Sequence, residues 1–224
     1  EEAAFQCVAR AARLIDMRAH QGEHPRMGAT DVVPFVPVSG VTMEECVDMA
    51  QRVGERIGSE LDIPIFLYEH AASRPERRNL AQVRSGEYEG MAEKLKDPDW
   101  NPDFGPSELN EGAGATCVGA REFLIAYNIN LQTSDVAVAK AISKAVRERD
   151  GGLARVQAMG FFLDDRGVAQ VSMNLLDYSV TSIRRVFDEV ARLATEAGVG
   201  IEESELVGLV PEAALDSSTA AHIQ

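Results

Sequence analysis

A chain of 224 residues is long enough for one large domain or two small ones, each able to bury a core without disulfides or metal. Its hydrophobic fraction of 45% and charged fraction of 26% are ordinary for a globular protein, and no apolar run approaches the ~20 residues of a membrane-crossing helix. A formal net charge of -14 argues against general binding to nucleic acid or an anionic membrane, which works through clustered Lys and Arg.

Cys7, Cys46 and Cys117 are odd in number and widely spaced, fitting neither a disulfide framework nor a zinc knuckle, so a reducing cytoplasm is expected. The opening Glu-Glu-Ala-Ala-Phe lacks the basic start and apolar stretch of a signal peptide. It also lacks an initiating Met, and the chain is expected to begin inside a longer sequence. The acidic total does not exclude an anionic ligand, because Arg26, Arg74, Arg77, Arg78 and Arg84 can reverse the potential locally within a cleft.

From Glu1 to Arg18, Ala4, Phe5, Val8, Ala11, Ala12 and Ile15 recur at three- and four-residue steps, which predicts an amphipathic helix. Gly22 and Pro25 break the pattern, and Val32 to Val38 reads as a strand that Pro34 and Pro37 confine to a short or edge position. Thr42 with Glu45 forms a capping box opening a helix to about Leu61. A strand over Ile63 to Tyr68 and a helix over Arg84 to Lys96 follow. Asp97 to Gly119, with three prolines and four glycines, reads as a long loop of the kind that carries function.

The second half predicts strand Phe123 to Leu131, helix Ser134 to Arg149, strand Ala154 to Leu163, a turn over Asp164 to Gly167, strand Val168 to Leu175, helix Val180 to Ala197 and strand Leu206 to Val210. That order, β-α-β-β-α-β, is the split ferredoxin-like motif. The first half shows only the later part of such a unit. Boundaries are therefore placed at 1–120 and 121–224, with the start of the first unit expected to lie outside this chain.

His20-Gln21-Gly22-Glu23-His24-Pro25-Arg26-Met27-Gly28 concentrates two histidines, a carboxylate and a guanidinium. Its His-x-x-Glu-His spacing matches a helical zinc motif, but Gly22 and Pro25 oppose the continuous helix that such a site requires. His20 reads alternatively as a cation at the negative end of the first helix. His24 stands between Glu23 and Arg26 before a strand. An imidazole there can exchange a proton near neutrality, Glu23 can orient it, and Arg26 can fork a carboxylate. Asn128, Asn130 and Asn174, in otherwise apolar strands, either tie strands together or face a ligand. Met17, Met43, Met49 and Met159 read as core filling.

The run from Gly22 to Gly28, followed by Asp31 and Pro34-Phe35-Val36-Pro37, resembles the signature of formiminotransferases. So do Glu87-Tyr88-Glu89, Asp103-Phe104-Gly105-Pro106, Gly119 through Leu124, Asn128 through Leu131, Asn174 through Asp177 and Leu206 through Pro211, in the family's order and near its spacing. The resemblance implies an α+β chain of two ferredoxin-like α/β-sandwich subdomains with a ligand tunnel between them, the first incomplete here. It implies that His24 is the catalytic residue. It implies that folate is contacted by Gly105, Pro106, Ser107, Glu108, Leu109, Asn110, Glu111, Gly112, Ala113 and Gly114, with Gly105, Gly112 and Gly114 letting the backbone approach a flat pterin. Glu108 through Glu111 is more acidic than the resemblance leads one to expect.

The implied reaction is transfer of a formimino group from N-formimino-L-glutamate to tetrahydrofolate in histidine degradation, with tetrahydrofolate as acceptor and no metal. A formyl donor stays open. The implied setting is a cytoplasmic homodimer binding small molecules, neither nucleic acid nor membrane. The cyclodeaminase domain of bifunctional relatives is not expected in this chain. Two other classes remain: a non-catalytic folate-binding module, and a zinc hydrolase built on His20, Glu23 and His24.

Overall fold

The computed structural model describes residues 1–21 and 26–215. They form two compact units, one spanning Glu1–Arg121 and one beginning at Glu122. Mixed helices and sheets, with one sheet in each unit, give the α+β class expected from the sequence.

In the first unit α1 (Glu2–Leu14) and α2 (Met43–Leu61) pack together, and β1 (Val32–Phe35), β2 (Ile65–Glu69) and β3 (Thr116–Ala120) form a sheet of order β1-β3-β2. Both pairings are parallel, Val33 opposite Val118 and Leu67 opposite Val118. Parallel neighbours need crossovers, and helices supply them: α2 between β1 and β2, then the short α3 (Leu80–Val83) and α4 (Glu87–Lys94) between β2 and β3. Phe5, Val8, Val53, Ile57, Ile65 and Val118 make the core on one face of the sheet. Phe66, Tyr68, Val83, Met91, Leu95 and Cys117 make the core on the other.

Burial on both faces explains why one strand was not legible in the sequence. Asp97 to Gly119 is not a single loop: its end is β3, the central strand, with all five residues buried. A strand covered on both faces carries no apolar-polar alternation, so Thr-Cys-Val-Gly-Ala offers no period to read. The expected helix Arg84 to Lys96 is the shorter α4, and the unforeseen α3 precedes it. Gly86 (φ 89°) and Glu87 (φ 54°) both turn left-handed and separate α3 from α4.

The first helix stops at Leu14 rather than Arg18, because Ile15 is extended and Asp16 accepts hydrogen bonds from the Arg18 backbone N–H at 3.1 Å and its Nε at 2.8 Å. His20 therefore lies beyond the helix, not on its last turn. The capping box forms as read, Thr42 Oγ1 accepting from Glu45 N at 3.1 Å and Glu45 Oε2 accepting from Thr42 N at 2.8 Å.

One polar cluster is buried in this unit. Arg77, 1% exposed, donates to Asp103 Oδ2 at 2.7 Å and to the Asn101 carbonyl at 2.5 Å. Its guanidinium carbon lies 5.2 Å from the Phe66 ring centre and 5.9 Å from that of Trp100. Asp103 also accepts from Leu67 N at 2.7 Å and from the Ser73 hydroxyl, so the outer side of β2 is held by a carboxylate rather than by another strand.

In the second unit β4 (Ile125–Leu131), β5 (Val156–Leu163), β6 (Val168–Leu175) and β7 (Ile201–Val207) form a sheet of order β5-β6-β4-β7, every neighbouring pair antiparallel. With α5 (Val136–Val146) and α6 (Ile183–Glu196) this is the β-α-β-β-α-β order read from the sequence. The buried Ile125, Tyr127, Ile129 and Leu131 alternate along β4 and pack with Ile142, Val146, Val186 and Val190 of the helices. The last strand begins at Ile201, earlier than the expected Leu206. Its three glutamates obscure a strand whose Ser204 and Leu206 share the face of Ile129 and Tyr127.

Candidate active site

The candidate site is built in the first unit where the segment after Pro25 meets the end of the glycine-rich loop. His24, with Gly22, Glu23 and Pro25, lies outside the described residues. The described continuation from Arg26 is held closely. Ala29 N donates to the Ala113 carbonyl at 2.8 Å, Ala115 N donates to the Met27 carbonyl at 3.1 Å, and Gly28 bridges Gly114. Met27 N donates to Asp31 Oδ1 at 2.8 Å, and the other oxygen of Asp31 meets Arg84 Nη2 at 2.5 Å. Residues three to five positions past His24 are thereby fixed against the end of the expected folate loop and the residue that follows it.

Arg26 forks a carboxylate, as the sequence suggested, but the carboxylate is the protein's own. Nη1 donates to Glu89 Oε2 at 2.9 Å and Nη2 to Glu89 Oε1 at 2.7 Å. Nη2 also reaches the His20 carbonyl at 3.0 Å. The guanidinium holds the Glu89 carboxyl below the usual carboxylate range. Arg77 and Arg84 are likewise paired internally, with Asp103 and Asp31, and Arg74 donates to the Asp99 carbonyl. Four of the five arginines expected to serve an anionic ligand thus have structural partners.

The loop Gly105 to Gly114 is ordered by its own backbone. Gly105, Ser107, Glu108 and Glu111 are exposed; Pro106, Leu109, Asn110 and Gly112 are half-buried; Ala113 and Gly114 are buried. Asn110 accepts from Ala113 N at 2.9 Å through its side chain and from Gly114 N at 2.6 Å through its carbonyl, and donates to the Asp62 carbonyl at 3.2 Å. The Gly112 carbonyl takes Met17 N at 2.8 Å, and the Glu111 carbonyl takes the Tyr88 hydroxyl at 2.7 Å.

At two positions the glycines also have a reason within the fold itself. Gly105 (φ 81°) packs on Gly58 of α2 and the Ile63 carbonyl, and Gly114 (φ 73°) packs on the backbone of Met27 and Gly28. A Cβ at either would overlap protein, so both glycines are already required by the fold. Gly112 differs: its nearest neighbour, at 3.8 Å, is the Asn110 side chain. It is the one of the three whose missing side chain leaves room.

In the second unit Asn128 Nδ2 donates to Glu205 at 3.0 Å and Asn130 Nδ2 to Glu203 at 3.0 Å, while Gln170 Nε2 donates to the Asn130 carbonyl oxygen at 2.9 Å. These amides tie β4 to its two neighbours. They lie, with Asn174, on the sheet face turned away from the Ile125 to Leu131 core positions. Among the described residues no group of three His, Cys, Asp or Glu side chains could hold a metal ion. None of the described helices is long and apolar enough to cross a membrane.

Comparison with known sequences decides the family. The profile of the formiminotransferase domain, N-terminal subdomain, matches residues 1–121, and that of the formiminotransferase domain matches residues 126–224. The chain belongs to the formiminotransferase family. A glutamate formimidoyltransferase of Streptococcus pyogenes serotype M1 is 50% identical over 96% of this chain and 72% of its own length. One from Thermoplasma acidophilum is 50% identical over 96% of this chain and 71% of its own length. A formimidoyltransferase-cyclodeaminase of Rattus norvegicus is 48% identical over 96% of this chain and 40% of its own length.

In this formiminotransferase chain Glu87-Tyr88-Glu89 joins distant segments. The triplet carried part of the family resemblance, yet nothing local told that Glu89 would clamp Arg26 or that Tyr88 would reach Glu111. Those partners are 63 and 23 residues away.

Proposed function

We propose that the chain transfers the formimino group of N-formimino-L-glutamate to tetrahydrofolate, giving 5-formiminotetrahydrofolate and L-glutamate. The observation that carries this reading is 50% identity across 96% of the chain to two proteins named glutamate formimidoyltransferase. The pairing of residues 27–29 with residues 113–115 supports placing the two expected site segments together.

The chemistry is proton traffic. A pterin nitrogen attacks the amidine carbon, forming one C–N bond and losing its proton, and the bond to the glutamate nitrogen breaks as that nitrogen gains one. His24 takes the first proton and returns the second, since a neutral imidazole accepts and its conjugate acid donates near pH 7. The backbone of Gly105 to Gly114 positions the folate, and Gly112 is where a flat ring comes closest. Bringing the two substrates together supplies much of the remaining acceleration. The protein acts as a cytoplasmic homodimer; its three free cysteines support a reducing compartment, and light scattering giving the mass of a monomer would remove the dimer.

The test is transfer from formiminoglutamate to tetrahydrofolate, read as the absorbance of the 5,10-methenyl product after acid treatment, for the parent chain and His24→Ala. Loss of general acid-base catalysis is expected to lower turnover roughly 10²- to 10⁴-fold with an unchanged melting temperature. Near-normal turnover in a folded His24→Ala variant would remove His24 from the mechanism. Folate binding without transfer by the parent chain would make it a binding module.

A further inference from the structure

We infer that Tyr88 is a positioning residue that sets the folate loop, Gly105 to Gly114, against the segment following His24; the inference rests on the function proposed above. Tyr88 is held from two sides by bonds to backbone. Its N–H, one of the orphan donors in the first turn of α4, reaches the Arg26 carbonyl at 2.9 Å. Its hydroxyl donates to the Glu111 carbonyl at 2.7 Å, one residue before Gly112. A single residue thus spans the two chain segments to which the base and the folate are assigned.

The local backbone is bent to place it. Gly86 and Glu87 are consecutive residues with positive φ, which a glutamate rarely adopts. Directly after the bend, Tyr88 N meets the Arg26 carbonyl. Glu89, the following residue, fixes the same Arg26 through its side chain. Burial pushes the Tyr88 phenol above its usual value, so the hydroxyl is a donor throughout the neutral range. Met17 N on the Gly112 carbonyl and the Asn110 bonds to Ala113 N and Gly114 N hold the loop independently of the Tyr88 hydroxyl.

Tyr88→Phe removes only that hydroxyl; the ring and the N–H to Arg26 remain. The expected result is a KM for tetrahydrofolate raised roughly three- to tenfold, the worth of one neutral hydrogen bond, with the KM for formiminoglutamate and the melting temperature unchanged. Calorimetric binding of tetrahydrofolate under anaerobic conditions is expected to weaken by the same factor, which makes the readout independent of turnover. A purely structural hydroxyl would instead lower the melting temperature or the active fraction and leave the folate KM alone. Folate KM and Kd equal to those of the parent chain overturn the role of Tyr88 while leaving the reaction standing. A parent chain that does not bind tetrahydrofolate at all overturns both.

Discussion

Removing the Asp103 carboxylate is expected to unfold the first unit well before the second. Asp103 Oδ2 accepts from both Leu67 N and Arg77 Nη1, each at 2.7 Å, and its other oxygen accepts from the Ser73 hydroxyl. Arg77 is 1% exposed, so Asp103→Ala leaves a buried cation without its counter-charge and a β2 N–H without its acceptor. Breaking a buried pair in this way costs about 3–5 kcal/mol. For a unit of this size that is a fall in melting temperature of roughly 10–20 °C. Trp100, the only tryptophan, lies 5.9 Å from the Arg77 guanidinium, so urea unfolding followed by its fluorescence reads this unit directly. The double variant Asp103→Leu with Arg77→Met is expected to recover most of the loss, because apolar replacement of both partners avoids the uncompensated charge. A cost below about 1 kcal/mol for Asp103→Ala would refute the assignment of the Arg77–Asp103 pair as the buried charge lock of this unit.

Gly114→Ala is expected to destabilise by at least about 2 kcal/mol, since a left-handed backbone is added to an overlap with the Met27 backbone; Gly112→Ala, in open space, is expected to leave the urea midpoint unchanged and to weaken only folate binding. With a thiol reagent such as Ellman's, native protein is expected to titrate one cysteine, the exposed Cys7, and all three after denaturation, because burial deprives Cys46 of access and pushes the Cys117 thiol well above its usual value. Rapid reaction of a second thiol in the native state would contradict the burial of the sheet.

How far the sequence foretold this structure depended on how local each signal is. Thr42 and Glu45 are three residues apart and their mutual capping was readable, as were the alternation of β4 and the four-residue turn before β6. Thr116 to Ala120 was hidden because a central strand of a parallel sheet presents no alternation, and Glu202, Glu203 and Glu205 disguised β7. The His20 to Gly28 run stood out as unusual local chemistry, whereas Gly105 to Gly114 was singled out only by the family resemblance. What Arg26 binds could not be read, because its carboxylate arrives from Glu89, across α3 and the Gly86-Glu87 turn. Nor could the internal duty of Gly105 and Gly114 be read, since it depends on Ile63 and Met27 approaching from elsewhere.

The order β1-β3-β2 also dictates when the first sheet can exist during synthesis. Among the described residues β1 and β2 form ladders only with β3, so neither parallel ladder can form until Thr116 to Ala120 emerges. At ~5–20 residues per second that delay lasts several seconds, with the β3-facing edges of the two strands open to other chains. The second unit has no comparable wait for its first pair, because β5 and β6 are joined by a short turn and zip together as they appear. Nascent-chain arrest before Thr116 is therefore the point at which holdase chaperones would find the most to bind.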